Sequence, residues 1–226
     1  MMNVSPMLTL ENVCKSFDHH GKPIEVLKGI NLVMEKGDSL AIMGASGVGK
    51  STLLNIMGSL DPPTEGIVRF RDRNMYEMEG DEISRLRNRE MGFVFQFHHL
   101  LTELNAVENV MMPALIGRYP RKEAFHMARE VLAKVGLEQR MTHRAGELSG
   151  GEQQRVAIAR ALIMKPKVIL GDEPTGNLDW LTGEEIAKLL IKLNRDEGVA
   201  MIIATHNDKL ARKMSRKMEL INGRME

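Results

Sequence analysis

The feature that most constrains this chain is the octet Gly44-Ala45-Ser46-Gly47-Val48-Gly49-Lys50-Ser51, which fits the pattern G-x-x-x-x-G-K-[ST] without a mismatch. It lies between an apolar run at residues 38–43 and a predicted helix at residues 51–58. Its glycines let the backbone turn so that successive N–H groups point inward, and the helix adds its positive N-terminal end. The octet therefore predicts a phosphate-binding loop between a buried strand and a helix, as α/β folds contain.

Two side chains at the end of the octet suit a nucleoside triphosphate and its metal ion. Lys50 can reach the β- and γ-phosphates, and the Ser51 hydroxyl can coordinate Mg²⁺. We include Thr52, in the first turn of the helix, among the expected nucleotide contacts. The loop by itself does not distinguish kinases, GTPases, motor proteins and transport ATPases.

A pair of acids follows a second apolar run, at residues 168–170. A strand that ends there places Asp172 beside the phosphate loop, where it can hold Mg²⁺ through water. Glu173 is the better candidate for polarising the attacking water, since a base must reach the γ-phosphate. Standing alone, such a pair could equally be a solvated turn, but a phosphate loop upstream favours a hydrolytic site. His206, at the end of the apolar run 200–205, has no role that the residues alone decide.

Apolar runs typical of strands alternate with helical patterns along the chain, which predicts a mainly parallel sheet covered on both faces. The predicted strands are residues 8–17, 24–34, 38–43, 92–95, 168–170, 200–205 and 219–221, and the predicted helices are 51–58, 106–112, 121–135, 152–164, 181–197 and 208–214. The mostly helical interval 97–159 interrupts the alternation. We interpret it as an inserted helical subdomain in a single domain spanning 1–226, with the core formed by 1–96 and 160–226.

The octet Leu148-Ser149-Gly150-Gly151-Glu152-Gln153-Gln154-Arg155, between the phosphate loop and the acid pair, resembles the signature motif of ATP-binding cassette (ABC) ATPases. The resemblance implies a RecA-like P-loop NTPase core with an antiparallel β edge and an inserted α-helical subdomain. It also implies a homodimer with two ATP molecules at its interface. Each ATP is held by one subunit and capped by Ser149, Gly150, Gly151 and Glu152 of the other.

The same resemblance assigns roles to further residues. Phe17 stands where the family has an aromatic that stacks on adenine. Gln96 matches the glutamine that contacts Mg²⁺ and couples the site to the membrane subunit, and His206 matches the switch histidine that contacts the γ-phosphate and Glu173. Residues 176–179 match the D-loop, which runs between the two sites.

Longer stretches are similar to a narrower group of ABC ATPases, the one that contains the lipoprotein-releasing (LolD), macrolide-exporting (MacB) and cell-division (FtsE) ATPases. The stretches are residues 95–101, 108–113 and 172–179. The first of these most resembles the lipoprotein-releasing members. This resemblance implies a peripheral ATPase on the cytoplasmic face of the bacterial inner membrane, bound to two membrane subunits of the LolC/LolE kind.

The region between Gln96 and Pro113 is expected to receive a cytoplasmic helix of the membrane partner. Its apolar residues Phe97, Leu100 and Leu101 lack clean amphipathic spacing, so we expect partial exposure in place of complete burial. The membrane is expected to be contacted only through partners, because no apolar stretch approaches the roughly 18 residues that span a bilayer.

Other functions remain as alternatives. A P-loop metabolite kinase would need an acceptor-binding lid and would not need residues 148–155. An ABC protein acting on ribosomes or DNA usually carries two cassettes or a long coiled coil, and a net charge of +1 argues against nucleic-acid binding. Macrolide-type export and division-type regulation use the same ATPase, and only the partner separates them from lipoprotein release.

Overall fold

The computed structural model describes residues 6–226, and the first five residues of the predicted core lie outside the described range. Its strands are β1 (Leu8–His19), β2 (Lys22–Met34), β3 (Ser39–Met43), β4 (Glu65–Phe70), β5 (Arg73–Asn74), β6 (Met91–Phe95), β7 (Val168–Asp172), β8 (Ala200–Ala204), β9 (Arg216–Ile221) and β10 (Arg224–Met225). Its helices are α1 (Lys50–Met57), α2 (Gly80–Glu90), α3 (Ala106–Ile116), α4 (Arg121–Lys134), α5 (Gly150–Leu162), α6 (Trp180–Glu197) and α7 (Asp208–Ala211).

The larger sheet has six strands in the order β10-β9-β3-β8-β7-β6, parallel except for the edge strand β10. Every residue of β3 and β8 is buried. Met201 and Ile203 pack into the cluster on one face, and Leu40 and Ile202 into the cluster on the other. Because both faces of the sheet are covered, the sequences of these strands are continuous apolar runs, as is typical of buried parallel strands.

The smaller sheet is antiparallel, with the order β2-β1-β4-β5. The turn between β1 and β2 uses two residues with positive φ, His20 and Gly21, as a tight hairpin requires. The predicted strands 8–17 and 24–34 pair as this hairpin, and the α/β class with an antiparallel edge is confirmed. Strand β4, which begins at Glu65, was not predicted.

Helices α3, α4 and α5 pack on one another through buried side chains such as Val110, Ala128 and Ile158. Helix α3 continues through Pro113 to Ile116, where the sequence predicted an end at residue 112, and the Gly117 N–H closes its last turn on the Pro113 carbonyl at 2.9 Å. Helix α5 continues past residue 159 and packs on β6. Because α5 crosses the predicted boundary between residues 159 and 160, the division into core and subdomain stays a prediction.

Two further helices differ from the sequence expectation. Helix α2 was not predicted, and α7 ends at Ala211 instead of residue 214. Among residues 6–226, no helix combines the length and the hydropathy that crossing a bilayer requires.

Candidate functional site

The predicted phosphate loop joins β3 to α1 in the expected order. Gly44 and Gly49 have φ of 143° and 111°, and a Cβ at these positions would lie 2.6 Å from the Leu220 carbonyl oxygen and 2.8 Å from Val26 Cγ1. Both positions therefore require glycine. Lys50 is only 8% exposed, and its Nζ donates to the carbonyl oxygens of Gly44 (2.8 Å) and Ala45 (2.9 Å). The ammonium group is thus held over its own loop.

A cleft of about 670 Å³ opens above this loop, at the carboxyl ends of β6, β7 and β8. Ligands of open α/β sheets bind at this edge. The cleft is lined by Val26, Gly44, Ala45, Ser46, Gly47, Gly49, Lys50, Ser51, Thr52, Gln96, Asp172, Glu173 and His206. Most of the residues that the sequence singled out are therefore brought together. Ser51, Gln96 and Asp172 carry side-chain oxygen atoms, the ligands that a hard cation such as Mg²⁺ prefers.

Glu173 is held by contacts from the next strand. Its N–H donates to the Ala204 carbonyl at 2.9 Å. One carboxylate oxygen, Oε2, accepts from the Thr205 hydroxyl (3.1 Å) and the His206 N–H (3.3 Å), while Oε1 lies 2.8 Å from His206 Nδ1. The glutamate side chain is 13% exposed and the imidazole is 71% exposed. This arrangement fixes a carboxylate at the base of the cleft, beside a histidine that faces solvent.

A second polar connection joins the end of β6 to the loop after β7. Gln96 Nε2 donates to Asn177 Oδ1 at 2.8 Å, and Asn177 Nδ2 donates back to the Gln96 carbonyl at 3.2 Å. Buried Gln154 donates to the carbonyls of Pro174 (2.8 Å) and Phe95 (3.4 Å). No specific role was predicted for Asn177 or Gln154. The only sequence feature that pointed to these two residues was that they belong to the motifs at residues 148–155 and 176–179.

The residues of the signature octet lie outside this cleft, at the N-terminus of α5. Ser149 caps the helix, accepting from the Glu152 N–H at 3.3 Å, and Glu152 accepts from the Ser149 N–H at 2.9 Å. The hydrogen bond that the Glu152 carboxylate accepts from the Ser149 N–H lowers the pKa of Glu152, and so does a second one from Arg140 at 2.9 Å. Within one chain, Ser149, Gly150, Gly151 and Glu152 do not meet the phosphate loop.

Two other predicted contacts are not among the cleft-lining side chains. Phe17 lies on β1 opposite Ile24 of β2, exposed to solvent with Lys15 Nζ 4.9 Å from its ring centroid. Val48 packs on the apolar cluster beneath the loop. Val26, which the sequence did not single out, lines the cleft from β2.

A separate groove of about 520 Å³ lies between α2, β6, α3 and α5, and apolar side chains such as Phe93, Met112 and Ile116 line it. In the segment after β6, Phe97 and Leu101 are exposed and Leu100 packs partly on the core, so the expected partial exposure is confirmed. Arg160 donates to the carbonyls of His98 and His99, and burial lowers its pKa.

The family model described as ABC transporter matches residues 27–176, from β2 to the loop after β7. The chain belongs to the ABC transporter family. As an ABC cassette that carries the loop, the acid pair and the signature octet, it is an ATPase.

Comparison with individual proteins extends the match along the whole cassette. The chain is 52% identical to the lipoprotein-releasing system ATP-binding protein LolD of Myxococcus xanthus, over 96% of this chain and 97% of the relative. It is 51% identical to the protein of the same name from Geobacter metallireducens, over 98% and 99% of the two chains. A solved dimeric ATP-binding cassette in a post-hydrolysis state with ADP and Pi superimposes with a TM-score of 0.89 at 43% identity, covering 97% of each chain.

Proposed function

We propose that this chain is the ATP-hydrolysing subunit of an inner-membrane system that releases lipoproteins toward the outer membrane. The observation that carries the proposal is the identity of about half of all residues, over nearly the full length, with ATP-binding proteins of lipoprotein-releasing systems. The cleft supports the ATPase part, because it joins a phosphate loop, an acid pair and a histidine in one place.

In this proposal the loop residues 44–51 bind the triphosphate and Lys50 reaches its β- and γ-phosphates. The Lys50 ammonium, now 2.8–2.9 Å from two loop carbonyls, would exchange those contacts for phosphate oxygens. Mg²⁺ would be held by Ser51, Gln96 and Asp172, and it would neutralise charge on the phosphates. Positioned backbone and side-chain donors are the main catalytic resource for phosphoryl transfer.

Glu173 would orient the water that attacks the γ-phosphate. The hydrogen bonds from Thr205 and from the His206 backbone fix its carboxylate, and the His206 ring lies at the mouth of the cleft. A held carboxylate loses little entropy when water binds, so positioning contributes to the rate. His206 would help to maintain the closed geometry around the γ-phosphate.

Two copies would form the working unit. Because Ser149 and Gly151 lie away from the cleft of their own chain, they can cap a nucleotide only in a second copy. The dimeric state of the structurally similar cassette supports this arrangement. ATP would drive closure by binding the closed state more tightly than the open one, since a ligand that binds both equally shifts nothing.

The membrane subunits would bind at the apolar groove and at the exposed residues of the region between Gln96 and Pro113. The groove is about 520 Å³ and is walled by α2, α3 and α5, which suits a helix laid into a groove. The subunit would then be peripheral, on the cytoplasmic face of the inner membrane, with two membrane partners of the LolC/LolE kind.

The experiment that tests this function is depletion of the protein in its native cell, followed by fractionation of lipoproteins between the two membranes. We expect lipoproteins to accumulate in the inner membrane, and re-expression of the wild-type chain, but not of Glu173→Gln, to restore sorting. Normal sorting after depletion would contradict lipoprotein release and leave export or division control for the same ATPase.

A further inference from the structure

The first turn of α6 carries two neighbouring large apolar side chains in contact with solvent. Trp180 is 64% exposed and Leu181 is 67% exposed, and neither belongs to the buried clusters. The helix start does not depend on them, because Asp179 caps it by accepting from the Leu181 and Thr182 N–H groups at 3.1 Å. We call these two residues the Trp180–Leu181 patch. Its apolar surface is unexplained by the fold of one chain.

The patch adjoins the nucleotide cleft on one side. Trp180 lines a depression of about 510 Å³ together with residues of the 176–179 loop and with His206, and His206 also lines the nucleotide cleft. Lys209 Nζ lies 4.7 Å from the centre of the Trp180 ring. This cation–π contact holds the ring in one place, so less side-chain entropy is lost when a partner covers it.

On its other side, the patch adjoins the signature residues. A Cβ on Gly151 would lie 2.4 Å from Thr182 Cγ2, and one on Gly150 would lie 3.4 Å from Leu178 Cδ2. The start of α6 and the start of α5 are therefore in direct contact. The patch lies on the surface that runs from the signature residues to the edge of the cleft.

We propose that the Trp180–Leu181 patch is buried by a second copy of this chain when ATP brings two copies together, an inference that rests on the ATP-dependent dimer proposed above. In that dimer the signature residues of one copy approach the cleft of the other. The surface between signature and cleft then belongs to the region that the second copy covers. Tryptophan is among the residues most enriched in interface centres, and two adjacent apolar side chains there stabilise the closed state.

The test uses the intrinsic fluorescence of Trp180, which is the single tryptophan of the chain. The Glu173→Gln protein is titrated with Mg-ATP at several protein concentrations, and dimer formation is followed in parallel by size-exclusion chromatography with light scattering. We expect the emission to shift to shorter wavelength and acrylamide quenching to fall about twofold as the ring loses solvent. The change should track the dimer fraction, whereas a local response to ATP would not depend on protein concentration.

A variant at the neighbouring position gives an independent measurement. In Leu181→Glu the new carboxylate lies in the first turn of α6, where the helix dipole favours an acid, so the fold is retained. An unpaired carboxylate buried at an interface is unfavourable, so we expect the dissociation constant of the ATP dimer to rise about tenfold. Val33→Glu is the control, since Val33 is an exposed apolar residue on β2 of the other sheet, and its dimer should be unchanged.

The outcomes separate the inference from the function on which it rests. A dimer that forms while Trp180 emission and quenching stay constant, or a Leu181→Glu protein that dimerises like the control, overturns the inference and leaves the dimer intact. A Glu173→Gln protein that stays monomeric with Mg-ATP overturns the proposed dimer and the inference together.

Discussion

His206 Nδ1 lies 2.8 Å from Glu173 Oε1, so the residues that follow two adjacent parallel strands, β8 and β7, meet at the base of the cleft. The contact depends on backbone geometry at both positions. Glu173 has a φ of 47°, unusual for a residue with a side chain, and its N–H is bonded to Ala204. Residues held in such conformations concentrate at functional sites.

The first prediction concerns this contact. Replacing His206 with alanine leaves Glu173 bonded to Thr205 and to the backbone N–H of residue 206, but removes the imidazole. We expect steady-state phosphate release to fall about 100-fold, the scale of a small misplacement of the reacting groups, while Mg-ATP binding is retained. A His206→Ala enzyme that turns over like the wild type would remove the histidine from the mechanism.

Glu173→Gln keeps the shape of the side chain and removes its ability to accept a proton. We expect hydrolysis to be abolished and a stable ATP-bound dimer to accumulate, measured by phosphate release and light scattering. Glu185→Gln is the matched control, because Glu185 lies on α6 outside the cleft, where it pairs with Arg155 at 3.1 Å. Hydrolysis at the wild-type rate in Glu173→Gln would show that another group orients the water.

Lys50→Ala removes the ammonium group from the phosphate loop. Charge-assisted hydrogen bonds contribute about 1.5–3 kcal/mol, so we expect ATP affinity to fall about 10- to 100-fold in a calorimetric titration. Lys192→Ala, an exposed lysine on α6, should bind like the wild type. Unchanged affinity in Lys50→Ala would count against the function assigned to the loop.

The close approach of α5 and α6 gives a prediction on stability. Because a Cβ on Gly151 would lie 2.4 Å from Thr182 Cγ2, Gly151→Ala overpacks this contact, which costs about 1–3 kcal/mol. Adding Thr182→Ser removes the methyl group and should restore most of the loss, measured as the free energy of unfolding in urea. Gly146→Ala meets nothing within 4 Å and serves as the control. Equal stability of all three variants would mean that the N-termini of α5 and α6 can move apart without a measurable loss of stability.

The capping box of α5 predicts a pH dependence. Hydrogen bonds from Ser149 and Arg140 lower the pKa of Glu152 from its ordinary 4.5. A lowered carboxylate pKa means that the stabilisation is complete above about pH 4.5 and is lost as pH falls through the folded-state pKa. The unfolding free energy of the wild type should exceed that of Glu152→Gln near neutral pH, and the difference should shrink as the pH falls below the ordinary carboxyl pKa of 4.5. A difference that is constant with pH would show that ionisation of Glu152 is not involved.

The sequence predicted the parts of the fold that local chemistry dictates. Buried parallel strands such as β3 and β8 are short apolar runs, and the loop after β3 follows from its glycines and Lys50. Helix α2 escaped prediction because none of its residues is buried and its composition is mostly charged, so no apolar periodicity marks it. Strand β4 was hidden for another reason: its register on β1 is a long-range pairing that no local pattern encodes.

The functional site was predictable to a similar extent. Residues at strand ends, such as Asp172 and Glu173, reach the cleft because parallel strands end at one edge of a sheet. Contacts between loops, such as Gln96 with Asn177, depend on distances across the fold and could not be read from spacing. The exposure of Trp180 could not be predicted either, because the sequence pattern placed the start of α6 at residue 181, one residue after the tryptophan.

The buried amide of Gln154 donates to the carbonyl of Phe95, the last residue of β6, and to the carbonyl of Pro174, in the loop after β7. Helix α5 therefore cannot rotate as an independent body without breaking a hydrogen bond inside the protein, where an unpaired carbonyl is unfavourable. Phe95 lines the apolar groove and Pro174 directly follows Glu173 of the cleft, so this one side chain connects the two sites. A displacement of α5 would therefore strain a hydrogen bond that ends one residue after Glu173, which connects the groove mechanically to the cleft.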